Sequence, residues 1–220
     1  EQAVAEYSVP EAYEAAESRH QLERMQHILQ QTVWALTKQV RAGAFVPTDF
    51  EIRFSELEQS AALEYELAND VQMRLTGRID RLDTYEDEQK LCVKVIDYKS
   101  GNTRFDLIKI YQGLQLQLVV YMNAAMELAD KTHPKKEILP GGILYYHIDD
   151  PVLETEENIS ESEAEHALLM ALRPDGLVNA DETIYRGMDA DFEGKSEVIP
   201  VELKKFPWHA PMWQRQMNFH

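Results

Sequence analysis

The side chains best suited to chemistry fall between Gly77 and Tyr121. They are Gly77-Arg78-Ile79-Asp80, then Val95-Ile96-Asp97-Tyr98-Lys99, then Gln117 followed four residues later by Tyr121. Asp80 is expected toward the end of one strand, and Asp97 and Lys99 toward the end of the next. Adjacent strands can bring two such carboxylates close together, and residues two apart project from the same face of their strand. Two carboxylates aimed at one point repel each other unless a cation lies between them. Oxygen ligands with room for water suit Mg²⁺, which is typically completed by substrate phosphates. A lysine beside that ion can orient or help deprotonate an attacking water and neutralise charge developing on a phosphorane. The chemistry implied is phosphodiester hydrolysis. Gly77 would let the backbone pass close to the site or to DNA.

The elements that must hold these residues can be read from periodicity. From about Glu11 to Arg41, Leu22, Met25, Leu29, Val33, Leu36 and Val40 recur at steps of three and four, predicting one long helix with an apolar stripe. Gly43 ends it and Pro47 opens the next element. Phe50, Ile52 and Phe54 alternate with Glu51, Arg53 and Ser55 as a strand. Val71 to Tyr85 reads as continuous strand with Gly77 inside it, and Glu86-Asp87-Glu88-Gln89 as a hairpin turn. Leu91 to Tyr98 looks like a strand near the sheet centre. A second long helix is expected from the N-cap Asp106, its stripe formed by Leu107, Ile110, Leu114, Leu118, Tyr121, Ala125 and Leu128. Pro140-Gly141-Gly142 then introduces a short strand, Ile143 to Ile148. Six acids and no base between Glu154 and Glu165 predict a solvated loop and helix start. Val198 to Leu203 is expected to add a strand. The order helix, three strands, helix, strand predicts an α/β sandwich core.

Composition sets bounds on this reading. A 220-residue chain with 44% hydrophobic residues suits one sizeable domain with a real core. No run approaches the roughly 20 apolar residues needed to cross a bilayer, and the start lacks a secretory pattern, so a soluble cytoplasmic protein is expected. The chain begins with Glu1 and reads as a piece of something longer. Cys92 is the single cysteine, which excludes an internal disulfide or a thiolate cluster within the chain. A net charge of −17 argues against a general nucleic-acid surface. Any basic footprint must be local or supplied by a partner. There is no Gly-X-X-X-X-Gly-Lys-Ser/Thr phosphate loop, so ATP hydrolysis would belong elsewhere.

A carboxylate on one strand followed by Asp-X-Lys on the next resembles the signature of the PD-(D/E)XK nuclease superfamily. The bare pattern is weak. The extended one is specific: Gly-Arg-Ile-Asp-Arg-Leu-Asp over 77–83, Val-Ile-Asp-Tyr-Lys-Ser-Gly over 95–101 and Gln-Leu-Gln-Leu-Val-Val-Tyr over 115–121. These motifs resemble RecB-type nucleases, in particular the C-terminal nuclease domains of AddB-type subunits of bacterial helicase–nucleases. The likeness is strong over 77–125 and extends more weakly back to Tyr13. It implies a restriction-endonuclease-like α/β core, a central mixed sheet flanked by helices. One nuclease domain is then expected over 1–205, with its core at 45–150 and an irregular tail at 206–220.

The resemblance also implies roles. Asp80 and Asp97 would ligate Mg²⁺, for which Mn²⁺ would substitute, with the Tyr98 carbonyl as a third ligand. Lys99 would be the catalytic lysine, Gln117 and Tyr121 would form the family's Gln-X-X-X-Tyr element, and Glu51 would be the acidic residue of the first core strand. The implied activity is exonucleolytic cutting of DNA, with single-stranded ends delivered by an AddA-type helicase–nuclease partner during double-strand break repair. Two departures stand out. His20 and His27 lack the Gly-rich context of the family's metal-binding histidine, which is expected upstream of Glu1. The four cysteines of the family's iron–sulfur clasp are missing from this chain, so that cluster cannot be built within it.

Plainer readings compete at several positions. An isolated Asp-X-Lys would be a strand-end carboxylate and a surface charge. Gln117 and Tyr121 would otherwise border an apolar helix stripe. Arg78 and Arg81 either meet phosphate or form salt bridges with Asp83 or Glu51. His133, His147, His166, His209 and His220 show no metal-ligand spacing. Two other functions fit the same motifs: a non-catalytic lobe that guides DNA or docks a partner, and a stand-alone RecB-like exonuclease.

Overall fold

The computed structural model describes residues 16–54, 64–67, 71–153 and 159–203. Helix α1, Ala16–Arg41, ends in Lys38 and Arg41, cations suited to the negative C-terminal end of a helix dipole. It leads into β1, Val46–Arg53. A separate antiparallel pair, β2 (Glu64–Leu67) and β3 (Val71–Arg74), follows. Next come β4, Arg78–Glu86, and β5, Lys90–Lys99, joined by a turn in which the Asp87 carboxylate accepts from the Gln89 and Lys90 amides. Helices α2 (Leu107–Tyr111) and α3 (Gln117–Thr132) lead to β6, Glu137–His147. The described remainder is α4 (Glu161–Ala171), β7 (Asp175–Val178) and α5 (Glu182–Met188).

Five strands form one mixed sheet in the order β1-β4-β5-β6-β7. Only the β5–β6 pairing is parallel, and α2 and α3 make the crossover that a parallel pair requires. One face packs on α3: Ile52, Ile79, Leu82, Val93 and Val95 meet Leu118, Tyr121, Met122, Ala125 and Ala129. The other face is covered by Ala35 of α1, Leu169 of α4, and Ile184, Tyr185 and Met188 of α5, with Ile96, Leu144 and Tyr146 beneath Leu36. With both faces covered, β5 can be the near-continuous aliphatic run its sequence shows. The α/β core with a central mixed sheet flanked by helices is as expected. Among the described residues no helix is long and apolar enough to cross a membrane.

Several local expectations are corrected. Met25, Leu29 and Val33 of α1 are exposed, and the helix instead turns Thr32 and Ala35 to the sheet. Small residues let a helix lie close to a sheet; of the predicted stripe, Leu36 packs on that face while Met25, Leu29 and Val33 point away. Val71 to Tyr85 is two strands in two different sheets, parted at 75–77. The second long helix is also two: after α2 the chain turns at Gly113, whose φ of 76° favours glycine, and α3 starts only at Gln117. Asp106 does cap α2, accepting from the Ile108 and Lys109 amides. Pro140-Gly141-Gly142 lies inside β6, which tolerates it through a register slip opposite Val93 and Lys94. Val198 to Leu203 is a turn with a single bridge, Lys195 to Glu202. The start of the first predicted helix at 11–15 and the tail at 206–220 lie outside the described residues.

Gly43 sits where α1 docks on α5. The Ala44 and Phe45 amides both donate to the Gly187 carbonyl, at 2.6 and 3.2 Å, and a Cβ at Gly43 would stand 2.2 Å from that oxygen. Gly43→Ala therefore forces backbone apart and is expected to cost about 1–3 kcal/mol, as overpacking does. A lower melting temperature in thermal denaturation checks this, and an unchanged one would mean the two helices part without penalty.

Candidate active site

Strand alternation on β5 sends Val95, Asp97 and Lys99 toward α3, while Ile96 and Tyr98 face the α1 layer. The β4–β5 ladder pairs Glu86 with Leu91 through Arg81 with Ile96. One step beyond its last pair come Asp80 and Asp97. There the Asp80 carboxylate replaces a ladder acceptor: its Oδ2 takes the Tyr98 N–H at 2.9 Å. The side chain of Asp80 is thus pinned to the backbone between Asp97 and Lys99.

Asp97 is 2% exposed. Its Oδ1 accepts from Gln117 Nε2 at 3.0 Å, and its Oδ2 lies 2.5 Å from Lys99 Nζ. That second contact is a close ion pair. Burial pushes the Asp97 carboxyl up from its ordinary value; Lys99 opposes this and the nearby Asp80 charge adds to it. Gln117 is the hinge of the cluster. Its Oε1 accepts from Lys99 at 3.0 Å, and its Nε2 also donates to the Tyr121 hydroxyl at 2.8 Å. Gln117 and Tyr121 are one helical turn apart and share a face of α3. The Lys99 ammonium further sits 5.2 Å from the ring centroid of Tyr145, a cation–π contact.

The structure therefore brings Asp80, Asp97, Lys99, Gln117 and Tyr121 together. It does not bring in the Glu51 side chain. Register puts Glu51 between the Phe50–Arg81 and Ile52–Ile79 pairs, beside Asp80, but its carboxylate pairs with Arg78 at the surface. Glu51 also holds a φ of 57°, the left-handed region that a non-glycine residue rarely adopts. Gly77 has a role beyond the expected one: a Cβ there would crowd the ring of Phe54 at 3.2 Å, and Phe54 in turn packs edge-on against Tyr121. His27 lies 3.9 Å from Asp150, and His209 and His220 lie outside the described residues.

Of the two readings of Arg78 and Arg81, the structure shows salt bridges. Arg81 is buried and bonds Asp83 through Nε and Nη2 at 2.6 and 2.7 Å, and Lys94 reaches the same carboxylate at 2.9 Å. Asp83 is 0% exposed. Burial pulls the Arg81 guanidinium down, but Asp83 more than offsets it, and the group stays above its ordinary value. Burial lowers the Lys94 ammonium despite Asp83. Arg81 also donates to the Tyr98 hydroxyl at 3.4 Å, so the network grips the residue whose amide holds Asp80. Sequence reasoning named Asp83 as a salt-bridge partner, which Arg81 bears out, but left Lys94 without a role, although a lysine within Val93-Lys94-Val95 of a central strand was the available signal. Tyr145 was missed as well; an aromatic in an aliphatic strand carries no such mark.

The donor set can be tested against a metal. Among the described residues no group of three or more His, Cys, Asp or Glu could hold one. Two carboxylates suit Mg²⁺, which keeps several waters and takes one or two carboxylates; they do not suit a closed zinc site. The buried Asp97 carboxylate suits the same ion, and here Lys99 supplies the positive charge beside its Oδ2.

Residues 1–200 match the PD-(D/E)XK nuclease superfamily. Similar proteins are named as the B-type subunit of an ATP-dependent helicase/deoxyribonuclease. The one from Lachnoclostridium phytofermentans is 44% identical over 191 residues, 83% of this chain and 15% of its own length. That from Clostridium novyi is 38% identical over 87% of this chain and 17% of its own length. That from Thermoanaerobacter sp. is 36% identical over 83% of this chain and 16% of its own length. The chain thus spans about a sixth of these relatives. An α/β sheet of the expected kind, the Asp80–Asp97–Lys99 cluster and the match over 1–200 lead to one statement: the chain belongs to the PD-(D/E)XK nuclease superfamily.

Proposed function

We propose that the chain is the Mg²⁺-dependent exonuclease domain, residues 1–205, of an AddB-type component of an ATP-dependent helicase/deoxyribonuclease. It cuts single-stranded DNA ends fed from an AddA-type motor in the cytoplasm during double-strand break repair. The observation that carries this is the convergence of the Asp80 and Asp97 carboxylates, Lys99 and Gln117 at the ends of β4 and β5.

Asp80 and Asp97 would hold the ion, with the Tyr98 carbonyl as backbone ligand. When bound, Mg²⁺ supplies Lewis-acid charge to the scissile phosphate and eases deprotonation of a water. Lys99, released from Asp97, orients the water that attacks phosphorus and stabilises the added negative charge as the P–O bond to the leaving oxygen breaks. Gln117 holds the Lys99 ammonium and the Asp97 carboxylate in register, and Tyr121 fixes Gln117. The nuclease is named for DNA because the relatives are named deoxyribonucleases.

The test is end-labelled single-stranded DNA incubated with the chain and Mg²⁺ or Mn²⁺, beside Asp97→Ala. Metal-dependent cutting in the parent and none in the variant is expected. Wild-type cutting by Asp97→Ala would remove the site assignment.

A further inference from the structure

Resting on that reading, we propose that the 104–116 excursion is the landing for the incoming strand, with the Tyr111 ring stacking on a base and Arg104 and Lys109 meeting phosphates. Both ends of this excursion are fastened to the site. At its start Phe105 packs on Tyr145 with ring centroids 6.3 Å apart, and Tyr145 carries Lys99 over its face. At its end stands Gln117, bonded to Lys99 and Asp97.

The excursion is also rigid. Gln115 clamps its neck, donating to the Arg104 carbonyl at 2.8 Å and accepting from the Asp106 amide at 2.9 Å. The Phe105 amide donates to Asp175 at 2.7 Å, and the Leu114 amide donates to the Lys109 carbonyl at 2.8 Å. Yet α2 buries none of its side chains. Tyr111 is 93% exposed, Leu114 72% and Ile108 67%, with Leu107 and Leu116 exposed beside them. A tightly held segment that presents bulky side chains to water is built for a partner.

Charge selects the partner. In a chain of net charge −17, Arg104 and Lys109 form no ion pair with any described residue, and the acid among them, Asp106, is engaged as the cap of α2. Cations interleaved with an exposed aromatic are what single-stranded nucleic acid requires: phosphates track the charges and bases stack on rings without regard to sequence.

The experiment measures binding apart from cutting. Fluorescence anisotropy with a labelled oligo-dT in EDTA compares the chain with Tyr111→Ala and Tyr111→Trp, using Met25→Ser on the far helix as the control for an exposed apolar residue. Each is repeated on a strand of abasic linkers. Tyr111→Ala is expected to weaken oligo-dT binding roughly tenfold, Tyr111→Trp to restore it, and the abasic strand to bind both proteins equally weakly. Unchanged oligo-dT binding by Tyr111→Ala overturns the proposal and assigns the patch to a protein neighbour. An equal loss on the abasic strand overturns stacking. A parent that cuts DNA while Tyr111→Ala binds normally leaves the nuclease reading intact, whereas a parent that neither cuts nor binds removes both.

Discussion

Lys99→Met is expected to slow DNA cutting by about a hundred- to a thousandfold while leaving metal binding in place. The lysine contributes no oxygen to an ion. Its ammonium lies 2.5 Å from Asp97 Oδ2 and 3.0 Å from Gln117 Oε1, where it can act on water and phosphate. Loss of one preorganised charge-stabilising donor costs about that factor in other hydrolytic sites, some 3–4 kcal/mol of barrier. Ligand binding to the folded state raises its stability. The melting temperature of Lys99→Met should therefore still rise on adding Mg²⁺, because the ion takes up the neutralisation of Asp97 that the lysine gave. Paired turnover assays and thermal melts with and without metal measure both halves. Unimpaired cutting would place the chemistry elsewhere, and loss of the metal-induced rise would make Lys99 part of the ion's support.

Asp83→Ala is expected to be the most damaging single change to the fold, about 3–5 kcal/mol. The carboxylate is wholly buried between Arg81 and Lys94, themselves buried. Removing it strands two cations away from water, and breaking a buried ion pair from one side costs that much because the remaining charge is uncompensated. A domain with an overall stability of about 5–15 kcal/mol would be left marginal. Urea denaturation measures it. Replacing all three residues by apolar ones of similar size separates the physics: the triple variant should recover most of the loss, since no stranded charge remains. Near-parental stability in Asp83→Ala alone would mean that water reaches Arg81 and Lys94.

The site was more legible than its setting. Asp80, Asp97 and Lys99 could be placed because the extended motifs around them resemble RecB-type nucleases, the bare pattern being weak, and Gln117 and Tyr121 because they match that family's Gln-X-X-X-Tyr element one helical turn apart. Glu51 shows the limit. Its position on β1 was readable, but its carboxylate follows Arg78 and its backbone turns left-handed, neither of which alternation encodes. The split between α2 and α3 was hidden for a related reason. Leu107, Ile110, Leu114 and Leu118 keep helical spacing across Gly113, yet Leu107 and Leu114 face water. Apolar spacing reports what a helix would bury, and it misleads where apolar residues serve a partner. Strand β7 is four residues with a glycine, too short for a period to emerge.

Asp97 and Lys99 ride on the middle strand of five, with β1 and β7 as the outermost. Local opening starts at edges and termini, and the most protected backbone lies at the centre of a sheet. Fraying of either border leaves Asp80, Asp97 and Lys99 where they are. The Asp80–Asp97–Lys99 arrangement is accordingly expected to outlast the opening of either border strand, and its weakest point is the Lys99 end, where β5 stops.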